Sequence, residues 1–229
     1  EELYATSLRS LGRVDEARAI SRALGHVTDW IMIGPFDNER GGGFDARHAP
    51  EQEVDLSLSV HGKERDVAWR RNPCPDHPLG RLVLGPVFEP NQQVVAYLAT
   101  AIQCDAPREV VLHLGSSCAV KAFLNGHEAL ARKVRRPFHP DQDRVALALQ
   151  AGTNQVLVKL AMEEESDWVF EGRFTDLDGA PVSDLAIDSA RVAAPALAWS
   201  EPSRVPAARA RETLGALEGI GGGLQHVSP

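Results

Sequence analysis

Hard oxygen donors and stacking groups, rather than nucleophiles or paired bases, are the side chains in this sequence that suggest chemistry. The first group lies in DNERGGGFD, where Asp37, Asn38, Glu39 and Asp45 could offer oxygen ligands to a structural Ca²⁺. Their spacing lacks the alternating ligands and closing Glu of an EF-hand loop. A turn whose Asp and Asn side chains bond their own backbone accounts for the same residues. The glycine run permits close approach, but no Lys-Ser/Thr follows it to meet phosphate and Mg²⁺. The second group lies in RRPFHPDQD. There Phe138 and His139 could stack on a sugar, while Arg135, Arg136 and Asp141 could hydrogen-bond to it. Trp69, ahead of the Pro-rich NPCPDHP loop, is either a further stacking platform or a core or rim tryptophan.

Nothing comparable supports catalysis. None of the eight histidines sits in a paired metal motif, and no G-x-S-x-G elbow occurs. His61, Cys74, Asp76 and His77 match no zinc spacing. His113 lies mid-strand between leucines, which suits a structural role. Glu163, Glu164 and Glu165 with Asp167 form either a Ca²⁺ cluster or a solvated hairpin tip. Asp176-Leu177-Asp178-Gly179 reads as a β-turn that needs no metal. The expectation is therefore a non-enzyme, with Ca²⁺ as its only candidate cofactor.

Composition narrows the class further. With 43% hydrophobic and 24% charged residues, the chain has the make-up of a globular protein. Its 229 residues suffice for a sizeable core. A net charge of −8 argues against a nucleic-acid partner, whose phosphates call for a basic surface. The one basic cluster, Arg132, Lys133, Arg135 and Arg136, falls in a predicted loop. No apolar run reaches the length of a membrane span. Three cysteines, Cys74, Cys104 and Cys118, form neither a disulfide framework nor a zinc site. Cys104 and Cys118 read as small buried hydrophobes, and one disulfide stays open if the compartment is oxidising.

The elements that would position these residues are mostly strands. The block from Glu109 to Asp176 reads as successive strands, with Val120, Ala122 and Leu124 on one face. Val145, Leu147 and Leu149 share another face, as do Trp168, Phe170 and Phe174. Asn125-Gly126 predicts a tight hairpin, because the mirror-image turn needs positive φ at both central residues. Further strands are expected over Trp30 to Ile33, broken at Gly34-Pro35, and over Val54 to Val60. Others are expected over Val67 to Arg70, Leu79 to Phe88 and Gln93 to Gln103. Residues Glu2 to Leu24 read as two helices interrupted at Gly12, and Pro206 to Leu217 as a short helix.

Several segments carry resemblances. AVKAFLNGHEA, RVALALQAGTNQVLVKLAM and WVFEGRF are similar to the galactose-binding-like jelly-roll modules of carbohydrate-active and cell-surface proteins. The matching features are Leu124-Asn125-Gly126, the Leu149 to Asn154 turn and the Val156 to Leu160 strand. The resemblance covers roughly residues 94–178 and implies the fold; it transfers no ligand residues. Leu11 to Ala17 resembles the turn of a tetratricopeptide repeat. DWIMIGPFDNERGGGFD looks like the start of a module that follows such repeats in large bacterial proteins. Some of those carry a transglutaminase-like domain, but the Cys/His pairing it needs is missing here.

Together these readings predict a mainly β protein, a jelly-roll β-sandwich with flanking α-helices at both termini. Residues 1–26 form the helical pair at the end of a repeat array, and 27–180 the sandwich. Residues 181–205 are an extended Ala/Pro-rich tail, and 206–229 a short helix with a flexible end. A piece of a longer multidomain protein is expected, with extracytoplasmic or cell-envelope placement favoured over cytoplasmic. The function expected is non-catalytic binding of carbohydrate or cell-envelope glycan. The alternative is a structural or protein-interaction domain of a repeat-containing scaffold.

Overall fold

The computed structural model describes residues 2–73, 77–164 and 167–192. Two helices come first, α1 (Glu2–Ser10) and α2 (Val14–Ala23), separated at Gly12 as the sequence predicts. The strands follow as β1 (Ile31–Asp37), β2 (Ser59–His61), β3 (Asp66–Ala68), β4 (Arg70–Arg71) and β5 (Leu82–Val83). Next are β6 (Val94–Cys104), β7 (Arg108–Ser116), β8 (Ala119–Leu124) and β9 (His127–Arg132). The last are β10 (Asp143–Leu149), β11 (Gly152–Met162), β12 (Val169–Thr175) and β13 (Ala186–Ile187).

These strands build two facing sheets. The larger has the order β4-β1-β6-β11-β8-β9, with β13 joining β6 beyond the end of β1. The smaller has the order β10-β7-β12-β5, and β2 and β3 form a separate hairpin. This is the β-sandwich expected from the strand pattern. Leu112 and Leu114 of β7, Leu147 of β10, and Phe170 and Phe174 of β12 point inward from the smaller sheet. They meet Leu98 of β6, Val158 and Leu160 of β11 and Val120 of β8. Each such side chain contributes roughly 1.5–3 kcal/mol when fully buried. Trp30 stands edge-on to Phe170, with ring centroids 5.6 Å apart, and its indole N–H donates to the Val27 carbonyl at 3.1 Å. Cys104 and Cys118 are free thiols within this core.

The larger sheet is buried on its outer face as well. Tyr97, Ala99, Phe123, Leu157 and Ala161 face a second apolar cluster supplied by Phe36, Phe44, Val54 and Val67. The segment between β1 and β4 thus covers one sheet.

Several expected strands are shorter or differently bounded. β1 continues through Gly34-Pro35, with its register on β6 shifting between Ile33 and Phe36. A proline has no N–H to give a ladder and is accommodated at such an irregularity. Of Val54 to Val60 only the end is strand. Ser57 donates both its backbone N–H and its hydroxyl to Asp55 Oδ1 (2.8 and 2.6 Å), and that local turn displaces the ladder. Of Leu79 to Phe88 only Leu82–Val83 is strand, because Val87 and Phe88 both donate to the Leu84 carbonyl in a turn.

The helix pair is tied to the smaller sheet. Ser21 Oγ accepts from the Leu79 N–H at 3.2 Å and donates to the Ala17 carbonyl at 3.0 Å. Leaving α2, the chain runs along β12, with Phe174 N–H donating to Gly25 O and Val27 N–H to Gly172 O, both 2.9 Å. After β12 the chain crosses back, and Asp29 accepts from the Ser189 N–H and hydroxyl at 2.6 and 2.8 Å. The helix predicted over Pro206 to Leu217, the remainder of the tail, and Cys74 and Asp76 lie outside the described residues. No helix among the described residues is long and apolar enough to cross a membrane.

Candidate functional site

The RRPFHPDQD segment carries the chain from β9, at the edge of the larger sheet, to β10, at the edge of the smaller one. A loop that bridges two sheets must be anchored to both. Arg136 donates from Nε to the Ser116 carbonyl (3.2 Å) and also pairs with Asp143. Asp143 has a side chain only 4% exposed and is shared with Arg132 Nε at 3.2 Å. Gln142 accepts from the Ser116 N–H at 3.0 Å and donates to the Pro137 carbonyl at 2.7 Å. Phe138 lies against Gly115, where an added Cβ would come within 2.8 Å of the ring and 2.7 Å of the His139 carbonyl. Arg81 covers the ring, its guanidinium carbon 4.6 Å from the centroid, and is paired with Glu171 at 3.0 Å.

Between this loop and the chain around β12 lies an open cleft of about 790 Å³. That volume falls in the ordinary range for small-ligand sites. Arg135, Arg136, Pro137 and Phe138 form one wall; Ser117, Asp167 and Val169 form the other. The arrangement combines an aromatic edge and apolar floor with donors and acceptors.

Three of the six ligand candidates read from sequence, Arg135, Arg136 and Phe138, therefore share one cleft. His139 is exposed on the same loop but does not line it. Asp141 turns away and pairs with Arg173, near His113. Trp69 stands between β3 and β4, half-buried against the second apolar cluster, beside the opposite edge of the larger sheet. Ser117, Asp167 and Val169 were not readable as partners, because only the pairing of β7, β8 and β12 brings them to the loop.

Two of the four candidate Ca²⁺ donors, Asp37 and Asp45, are held in ion pairs. Asp37 pairs with Lys63 at 3.2 Å and Asp45 with Lys133 at 2.7 Å. The Lys133 ammonium holds the Asp45 carboxyl below the usual carboxylate range. Asn38 is buried and donates to the Met162 carbonyl at 2.9 Å, and the Glu39 N–H donates to Asp37 Oδ2 at 3.3 Å. Glu163 reaches over Gly41, while Glu164 pairs with Arg135 at 2.6 Å. Among the described residues no three His, Cys, Asp or Glu side chains form a metal-holding group. Asn38 Oδ1, by contrast, is buried with no hydrogen-bond partner among the described residues.

Two polar clusters escaped sequence reasoning. On the outer face of the smaller sheet, His113 Nε2 lies 2.9 Å from Thr175 Oγ1 and Nδ1 lies 3.7 Å from Asp141 Oδ1. Thr175 donates its hydroxyl hydrogen to the Asp176 carbonyl (2.9 Å), so it accepts from Nε2–H. The row resembles a nucleophile, base and carboxylate, but Thr175 is wholly buried and its proton is committed elsewhere. Burial, reinforced by Arg173, pushes His113 down to about 4. On the outer face of the larger sheet, Lys159 donates to Glu51 Oε1 (2.8 Å) and the Ala46 carbonyl (2.6 Å), and Tyr97 donates to the same Glu51 oxygen. Burial lowers the Lys159 ammonium, with Glu51 working against it, and raises the Tyr97 phenol. A lysine in the middle of the apolar VLVKLAM run was the available signal for this cluster.

No family model matches the chain, and no curated protein is similar to it. Among solved structures it is similar to a β-glucosidase from Kluyveromyces marxianus in complex with glucose, at 11% identity and a TM-score of 0.41. That likeness covers 64% of this chain and 16% of the enzyme. It is also similar to the PA14 domain of the MpAFP antifreeze protein, at 9% identity, 42% and 52% coverage and a TM-score of 0.34. An anti-sigma factor domain-containing protein from Clostridium clariflavum is 9% identical over 69% of this chain and 47% of that one, with a TM-score of 0.36. With every TM-score below 0.5, these likenesses decide nothing about ligand or activity.

Proposed function

We propose that this chain is a non-catalytic binding module that takes a carbohydrate in the cleft beneath the 133–142 loop. One observation carries the reading. Arg135, Arg136 and Phe138 converge with Asp167 and Ser117 on a single open cleft of about 790 Å³. Sugars present hydroxyls around their rims and apolar C–H faces. A few oriented polar groups beside an apolar floor and an aromatic edge complement that pattern. The loop is pinned by Arg136, Gln142 and Phe138, so little ordering cost attaches to binding. The test is a glycan array probed with the labelled protein, followed by titration calorimetry on the hits. Arg135→Ala and Phe138→Ala are each expected to weaken binding by about tenfold, roughly 1.4 kcal/mol. A blank array together with blank titrations would end the proposal.

A second reading is favoured by a different surface. Leu3, Tyr4 and Leu11 on the helix pair are 84%, 57% and 72% exposed. Apolar side chains grouped on one small element suit a protein-interaction role, in which the sandwich serves as the scaffold. Replacing Leu3 and Leu11 with Ser and measuring self-association or partner capture separates this reading from the first, since the cleft is untouched.

A further inference from the structure

We infer that the cleft selects acidic glycans, those bearing uronic-acid carboxylates, and that Glu164, beside the cleft, competes with the ligand carboxylate for Arg135. This rests on the binding-module reading and specifies its ligand.

The cleft lining holds Arg135, Arg136 and Asp167, and each arginine is already paired with a carboxylate outside that lining, Arg136 with Asp143 and Arg135 with Glu164. The two arginines are held differently. Arg136 is locked, its guanidinium fixed by the buried Asp143 and the Ser116 carbonyl. Arg135 pairs at 2.6 Å with Glu164, and both side chains are open to solvent, 65% and 62% exposed. An ion pair so exposed contributes little to stability. A ligand carboxylate can therefore exchange with Glu164 at small cost. In doing so it gains the planar, two-pronged donor geometry that guanidinium offers to carboxylates. Ser117 adds no freedom, since its hydroxyl donates to the Asp167 carbonyl at 2.6 Å and accepts from the Val169 N–H at 2.9 Å. The exchangeable cation is Arg135, and its competitor is part of the protein.

The experiment titrates the whole chain with trigalacturonate, its fully methyl-esterified form and hexaglutamate, at low and raised salt. Trigalacturonate is expected to bind about tenfold tighter than its ester, with the difference shrinking as salt rises. Arg135→Ala should abolish the preference. Glu164→Gln should tighten trigalacturonate about two- to fivefold, the range of an exposed pair, and leave the ester unchanged. If acid and ester bind equally and Glu164→Gln is silent, acidic selection is overturned while carbohydrate binding stands. Hexaglutamate binding as tightly as trigalacturonate overturns the inference too, because charge alone would then suffice. A blank titration with both sugars, set beside array hits for neutral glycans, overturns only the acidic preference. A blank array as well removes the carbohydrate reading with it.

Discussion

Lys159 and Glu51 form a largely buried ion pair, Nζ to Oε1 2.8 Å, with the lysine side chain 0% and the glutamate 9% exposed. The pair joins β11 to the segment that covers the outer face of the larger sheet. Tyr97 donates to the same oxygen, and its ring lies 5.7 Å from the ammonium. Removing one partner strands the other's charge in an apolar layer. Lys159→Met or Glu51→Gln is accordingly expected to cost about 3–5 kcal/mol. The double variant Lys159→Met/Glu51→Leu should lose less than the two single costs combined, because no charge is left unpaired. Urea unfolding of the three variants measures this. Equal, small losses in both single variants would mean the pair is hydrated and the cover loosely seated.

That cover explains which parts of the architecture were legible. β6, β8, β11 and β12 follow directly from apolar pattern. Asn125 and Gly126, with φ of 47° and 80°, make the tight turn their types predict. The unbroken apolar run of β6 already signalled burial on both faces, but nothing in the run says what lies on the second face. Val54 to Val60 alternates like a strand, yet Asp55 captures Ser57 and turns the chain first. Arg135, Arg136 and Phe138 were readable as a site because they are neighbours in sequence. Asp167 and Ser117 join them only through strand order, and Trp69 is parted from them by the width of the larger sheet. Local patterns carry no record of either relationship.

His26 and His113 predict the pH response. Both are buried, and burial first, then Arg173, pushes each down to about 4 from its usual 6.5; Asp141 works in the opposite direction. Arg81 adds to the effect on His26 and Arg144 to that on His113. Between those values the unfolded chain binds protons that the folded chain refuses. Stability is therefore complete above about pH 6.5 and falls as pH drops toward 4. The loss amounts to roughly 2 kcal/mol per histidine by pH 5. Burial tends to raise the Asp141 carboxyl, but Arg173 outweighs it and keeps it low, so this group weakens the fold only in stronger acid. Urea midpoints from pH 7.5 to 4.5 test the slope, and a His26→Gln/His113→Gln protein should show a flatter one. An unchanged slope in that variant would assign the acid response elsewhere.

The engagement of Asp37 by Lys63 and of Asp45 by Lys133 predicts indifference to Ca²⁺. Thermal unfolding after exhaustive chelation, and again after adding Ca²⁺, should give the same midpoint. A rise with Ca²⁺ would require those ion pairs to open and the 37–45 loop to re-form around the metal.

Gly115 ties the cleft to the strand beneath it. A methyl group there would meet the Phe138 ring at 2.8 Å and the His139 carbonyl at 2.7 Å. The neighbouring Glu171 Cγ would stand at 3.2 Å, leaving the strand face little room to yield. The backbone carbonyl cannot swing aside as a side chain can, so the loop itself must lift. Gly115→Ala is expected to cost about 1–3 kcal/mol by overpacking and to displace Arg136 and Phe138 from their places along the cleft. Phe138→Ala removes only the ring contact, so the double variant should still feel the clash with the His139 carbonyl. Unfolding curves and sugar titrations on the two single variants and their combination check this. If Gly115→Ala keeps both full stability and full affinity, the loop does not rest on β7 and the cleft is not prearranged.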